Sequence, residues 1–510
     1  MPPGPRGTDR DAQRALDAVE RRLARFDRQI SLADWASYQG RGNERTCAQR
    51  QSDRARYLRD PRRARLAESL AARFPGSSVG RQAELLRRIV LDSEVEQAPE
   101  VVRLRAGLQG GIVRFRPMWH GRRVGRAAVQ EVLWSSPDRR ERHRAWAAEE
   151  PLRRSLEPSL RRLIGLRNDL ARDHGFPHYA AFRLAFEHMT AARVRGLGRE
   201  AIRPLAGHVR QLREEFVERS KEDGWAPWDL RWAIEQRSPL PADAFPAGRM
   251  MATVDRALGA WGLPPERRRF RIVRCDIPFG GLTLPVQVPN DVRVLVHPRG
   301  GWEYYCVLFH ELGHAVHLSS ISVPHHLERT IEPGFAAFAE GIATIFERVA
   351  DDPNWLSSLP GISPALAERF AESRRAASVF YAAGYLLGLE SELRLYERPD
   401  LDPAGDVCRL SRQWFGYDTH APGSWGDPFR VTHPMYVQSY LLAYLFRAQV
   451  TDAMLRETRG PLWPNPRAGP WLTRALLRAG SRYDWLDRVE AVTGAALSAE
   501  AFVRSVGRAS

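Results

Sequence analysis

The sequence predicts a mainly α protein with one small β-sheet, placed immediately before a helix that carries two histidines four residues apart. Two observations lead there. Apolar residues recur at three- and four-residue steps along most of the 510 residues. Short runs rich in β-branched residues, by contrast, are confined to residues 270–296.

Taken in order, residues 1–10 are rich in Pro, Gly and Arg and read as a disordered N-terminus. Residues 11–72 are helical in pattern, with Ala15, Val19, Leu23 and Phe26 on one face. Pro75-Gly76-Ser77-Ser78 breaks that pattern. Helical periodicity then dominates to about Asp223, and Pro151 suits the first turn of one helix. A looser stretch, 224–248, and a short helical piece lead to three expected strands, 270–277, 282–288 and 292–296. Gly280-Gly281, Pro289-Asn290 and Pro298-Arg299-Gly300 punctuate them. Helices are expected at 303–318 and, after a turn at Pro333-Gly334, at 335–346. The remainder is helical apart from loops at 415–434 and 460–470, and no internal repeat is visible. Gly76-Ser77-Ser78-Val79-Gly80 matches G-x-S-x-G, but a nucleophile elbow needs a strand before it. A helical pattern precedes this one, so it reads as a turn.

Composition narrows the class. Hydrophobic residues make up 43% of the chain, enough for a large core. The N-terminus has no apolar run of the signal-peptide kind, and no stretch approaches the roughly 18 apolar residues of a membrane helix. The four cysteines, Cys47, Cys275, Cys306 and Cys408, are scattered without a CxxC pair. The expectation is a cytoplasmic protein that does not associate with membranes. The net charge of +16 raises nucleic-acid binding as a rival function. Lys221 is the only lysine, however, and the arginines are spread along the chain beside carboxylates at helical spacing. That pattern disfavours a nucleic-acid partner.

The chemistry concentrates in His310-Glu311-Leu312-Gly313-His314. Residues four apart share a helix face, so both imidazoles can reach one ion. Zinc favours nitrogen ligands and, when catalytic, keeps one position for water. It brings the pKa of that water to about 7. Glu311 lies beside the same face and can take the proton. One zinc ion is therefore expected. A third protein ligand must come from downstream, where Glu328, Glu332, Glu340 and Glu347 are the candidates. Glu340 and Glu347 are two turns apart on one face. One can bind the metal while the other holds a ligand imidazole. Glu332 precedes Pro333-Gly334 and sits on a turn, a less rigid place for a ligand. Cys306 stands one turn before His310, which offers a place near the metal, but the reading favoured over that is a small buried hydrophobic side chain.

The run His310–His317 (HELGHAVH) followed by Ala339–Glu347 (AEGIATIFE) resembles the zinc oligopeptidase family of thimet oligopeptidase and oligoendopeptidase F. The angiotensin-converting-enzyme peptidases are a more distant match. Weaker similarities lie at Arg167-Asn168-Asp169-Leu170-Ala171 with Gly175-Phe176, at Pro227-Trp228-Asp229, and in the tyrosine-rich segment after His433. Together they cover about residues 130–449; the first hundred residues match nothing nameable. The resemblance implies a large helical peptidase fold with a deep substrate channel. Residues 11–510 would form a single catalytic unit of two helical lobes, with the zinc-binding core at about 270–450. It implies Glu340 as the third ligand, beside His310 and His314, with Glu347 behind them. It also implies hydrolysis of short peptides through a zinc-bound water, with Glu311 as base. Tyr440 would be the oxyanion donor, and His433 and Tyr436 substrate contacts; a phenol or imidazole can donate to the charge developing on a carbonyl. An edge strand would pair with the extended substrate, and either 292–296 or 282–288 can supply it; Pro285 in the second suits an edge. The rival within the same fold is a peptidase-like protein that binds peptides without cutting them, and the intact metal motif speaks against it.

Overall fold

The computed structural model describes residues 9–277, 280–330, 333–401, 403–417 and 425–507. The chain is mainly α, as expected. It divides into two compact units, each assembled from separate stretches of sequence. The first takes its residues from Met1–Gln97, Pro241–Ile362 and Phe446–Leu497, and the second from Ala98–Leu240, Ser363–Leu445 and Ser498–Ser510.

In the first unit, the charged N-terminal segment is a long helix, Asp9–Tyr38, with Leu16, Val19 and Leu23 buried. It begins two residues before the expected end of the disordered segment; residues 1–8 lie outside the described residues. These side chains pack on Ala67 and Leu70 and on Ala83, Leu86 and Ile89 of the helix Ser78–Glu96. Ser77 caps that helix, its hydroxyl accepting from the Gly80 N–H at 3.1 Å. The G-x-S-x-G match is thus an N-cap, as a turn leading into a helix requires.

One element departs from the helical reading. Met118–Trp119 (β1) and Arg122–Arg123 (β2), in the second unit, pair antiparallel around His120-Gly121, both with positive φ (46° and 74°). A two-residue turn of this kind accounts for the hairpin. Two of the weaker family-like motifs, at Pro227-Trp228-Asp229 and Arg167–Ala171, supply buried polar contacts within the second unit. Asp229 is fully buried between Arg142 (2.8 Å) and Arg139 (3.0 Å). Asn168 donates to the Tyr396 carbonyl and accepts from the Tyr179 N–H, at 2.8 and 2.9 Å.

The small sheet of the first unit comprises β3 (Phe270–Arg274), β4 (Gly281–Gln287) and β5 (Asp291–Val296), in the order β3-β5-β4. β5 is parallel to β3 and antiparallel to β4. This corrects one alternative: 292–296 is the central strand, paired on both sides, and has no open edge. β4 is an edge strand. The Gly280 carbonyl accepts from the His297 N–H at 2.9 Å, so by alternation Gly281, Thr283 and Pro285 turn their backbone groups away from β5. Pro285 therefore costs the ladder no donor, and its carbonyl accepts from the Ser31 hydroxyl at 3.0 Å.

After β5 the chain enters the motif helix, Trp302–Ser320. It runs antiparallel to a second helix, Ala336–Ala350, as successive contacts show: Trp302 Nε1 donates to the Ala350 carbonyl at 2.9 Å, His310 meets Glu347, and the His317 ring packs edge-on against Phe338. At the crossing, a Cβ on Gly313 would lie 2.7 Å from Ala343 Cα, so only glycine permits this approach. We predict that Gly313→Ala lowers the stability of the metal-free protein by about 1–3 kcal/mol through overpacking. Thermal unfolding checks this; an unchanged midpoint would mean the helices do not approach so closely.

Candidate metal centre

Five of the predicted site residues, His310, Glu311, His314, Glu340 and Glu347, come from these two helices and gather in one place. His310 and His314 sit one turn apart, with their Nε2 atoms 3.1 Å apart. Glu340 Oε2 is 3.5 Å from His310 Nε2 and 3.9 Å from His314 Nε2. Among the described residues, His310, His314 and Glu340 form one of two groups able to hold a metal ion. The donor set fits zinc. Tetrahedral bonds of about 2.0–2.2 Å place ligand atoms roughly 3.3–3.6 Å apart, which the three separations bracket.

Glu347 Oε1 lies 2.5 Å from His310 Nδ1. A proton held there on Nδ1 leaves Nε2 with its lone pair directed at the ligand cluster. Burial opposes a charge on His310, but Glu347, Glu340 and Glu311 outweigh it and hold its pKa up to about 10. The same negative field favours a metal cation. Burial, and then the charge of His310, lower the pKa of His314. His317 is buried, and burial followed by Arg488 pushes it down to about 3, so it stays neutral beneath the site.

Glu311 is 8% exposed and is held by a residue that the motif alone does not reveal. The Thr283 hydroxyl, on β4, lies 2.8 Å from Glu311 Oε2 and 2.9 Å from the Glu311 carbonyl oxygen. The only sequence signal for it is a threonine two residues after Gly280-Gly281, in the second strand counting back from the motif.

The other candidates fall elsewhere. Glu328 is fully buried and its carboxylate is taken by Arg482 at 3.0 Å. Glu332 lies outside the described residues. Cys306 is partly exposed and is not among the grouped ligand atoms. His433, Tyr436 and Tyr440 belong to the second unit and cluster there. His433 stacks on Phe429 with ring centroids 4.8 Å apart, Tyr436 and Tyr440 are 5.4 Å apart, and Tyr440 stacks on Tyr385 at 5.4 Å. The second metal-capable group is Asp17, Glu20 and His325. Its polar atoms already have protein partners: Glu20 accepts from the Leu327 N–H at 3.0 Å, and Gln13 donates to Asp17 at 2.8 Å.

No protein-family model matches the chain, and no curated protein sequence does. Its fold matches the crystal structure of an M32 carboxypeptidase from Deinococcus radiodurans R1, with a TM-score of 0.66 at 16% identity, over 98% of this chain and 99% of that one. At that identity the likeness establishes a fold in common. It agrees with the large peptidase-type fold implied by the sequence resemblance, without singling out the oligopeptidase branch.

No helix among the described residues is long and apolar enough to cross a membrane. The Glu347 contact carries a prediction. Glu347→Ala removes the carboxylate that orients His310 and weakens zinc binding by about 10–100-fold. Competition against a chromophoric chelator measures it, and wild-type affinity in the variant would contradict the arrangement.

Proposed function

We propose that this chain is a zinc-dependent metallopeptidase that hydrolyses peptide bonds of short peptides, with His310, His314 and Glu340 as zinc ligands. The observation that carries the reading is the convergence of two imidazole nitrogens and a carboxylate at zinc-compatible spacing, with a second carboxylate, Glu311, on the turn between the histidines.

When bound, zinc supplies Lewis acidity, acidifying a water and polarising the scissile carbonyl. The remaining work falls to the chain. Glu311 accepts the proton of the attacking water and passes it to the leaving amine. Glu347 keeps His310 in the ligating tautomer. The backbone groups of Gly281 and Thr283, turned away from β5, are available to pair with an extended substrate as an added strand. Tyr440 as oxyanion donor and His433 and Tyr436 as substrate contacts rest on the sequence resemblance.

Two modes of cutting follow from different observations. The HELGHAVH and AEGIATIFE runs favour an oligopeptidase. The fold neighbour is named a carboxypeptidase, which favours removal of residues from the C-terminal end. Cleavage of a mixed peptide library, with free and amidated C-termini, separates them by where the cuts fall.

The test of the class is Glu311→Gln. This variant is expected to keep its zinc and to lose about 10²–10⁴ in rate, the contribution typical of a positioned base. Chelator should abolish wild-type cleavage and added zinc restore it. A Glu311→Gln protein that cuts at the wild-type rate rules out the mechanism.

A further inference from the structure

We propose that β4 is a clamp for the catalytic base, with Gly281 and Thr283 fixing the Glu311 carboxylate in its working orientation; this deepens the peptidase reading and rests on Glu311 being that base. Residues two apart on a strand share a face, and this face meets the motif helix at Glu311. Two contacts make the clamp, and neither involves a metal ligand.

The first is a hydrogen bond. Thr283 Oγ1 lies 2.8 Å from Glu311 Oε2, and 2.9 Å from the carbonyl oxygen of the same residue. A hydroxyl has one hydrogen and two lone pairs. While Glu311 is a carboxylate, the hydrogen serves Oε2 and leaves Oε1 to take the proton from water. Once Oε1 carries that proton, Oε2 still accepts from the hydroxyl, so the carboxyl group keeps its orientation through the transfer. The β-branch of threonine restricts χ1 and keeps the oxygen in place.

The second contact is steric. A Cβ at Gly281 would lie 2.7 Å from Glu311 Cγ and 3.0 Å from Val307 Cγ1, with the Leu295 carbonyl at 3.3 Å behind it. Gly281 is not among the glycines with positive φ, so its backbone conformation is open to any residue. What demands glycine here is the closeness of the Glu311 stem. Thr283 therefore holds the end of the side chain while Gly281 leaves room for its middle. Both are positioning residues, acting on the chemistry through Glu311.

The test uses the zinc-loaded full chain with the best peptide from the library. Thr283→Val keeps the shape and removes the hydroxyl; Thr283→Ser keeps the hydroxyl. We expect Thr283→Val to bind one zinc per chain as the wild type does, with KM little changed and kcat lower by roughly 10–100-fold, the cost of a misplaced catalytic group. Thr283→Ser should recover most of that loss. Crystal structures should show the Glu311 carboxylate displaced in Thr283→Val and in Gly281→Ala, with His310, His314 and Glu340 unmoved. Wild-type kcat in Thr283→Val overturns the clamp, as does an equal loss in the valine and serine variants or an unmoved Glu311. A wild type that cuts no peptide would instead defeat the underlying peptidase reading.

Discussion

The convergence of His310, His314 and Glu340 depends on how closely the helix Trp302–Ser320 can approach the helix Ala336–Ala350. Gly313 sets that distance, because any side chain there would meet the Ala343 backbone. Antiparallel packing at this separation brings residues whose numbers sum to nearly the same value face to face: His310 with Glu347, Gly313 with Ala343, and His317 with Phe338. Glu340 then reaches back to both histidines across the crossing. On the far side of the second helix, Gly341 makes a similar allowance for the Phe446 ring. Small residues at two contact points let a carboxylate from one helix and imidazoles from the other share a volume a few ångströms across.

The electrostatics follow from the packing. Glu311, Glu340 and Glu347 surround two imidazoles, and Glu311 and Glu340 are almost fully buried. A concentration of negative charge away from water is costly unless a cation offsets it. A proton on His310 is one such cation and a divalent metal is a stronger one. Metal binding should therefore be linked both to proton release and to stability.

Much of this was legible in the sequence, for identifiable reasons. The pair His310 and His314 needs only helical spacing, and Glu340 with Glu347 needs only two turns of a helix made of small and apolar residues. Both are local signals. The strands at 270–296 were legible because β-branched runs stood between Gly and Pro breakers. What escaped was tertiary. Which strand is central depends on a parallel pairing of β3 with β5 that no local pattern encodes, so 292–296 stood wrongly as a possible edge. The hairpin at Met118–Arg123 was hidden because its arginines and apolar residues fit helical steps, while its turn rests on an unusual positive φ at His120. Thr283 was invisible as a partner of Glu311 because 28 residues separate them.

The most direct test of the central claim is a zinc-edge anomalous map from crystals of the metal-loaded protein. The account predicts one strong peak about 2.0–2.2 Å from His310 Nε2, His314 Nε2 and a Glu340 oxygen. A peak at Asp17, Glu20 and His325 instead, or no peak beside His310, would contradict it.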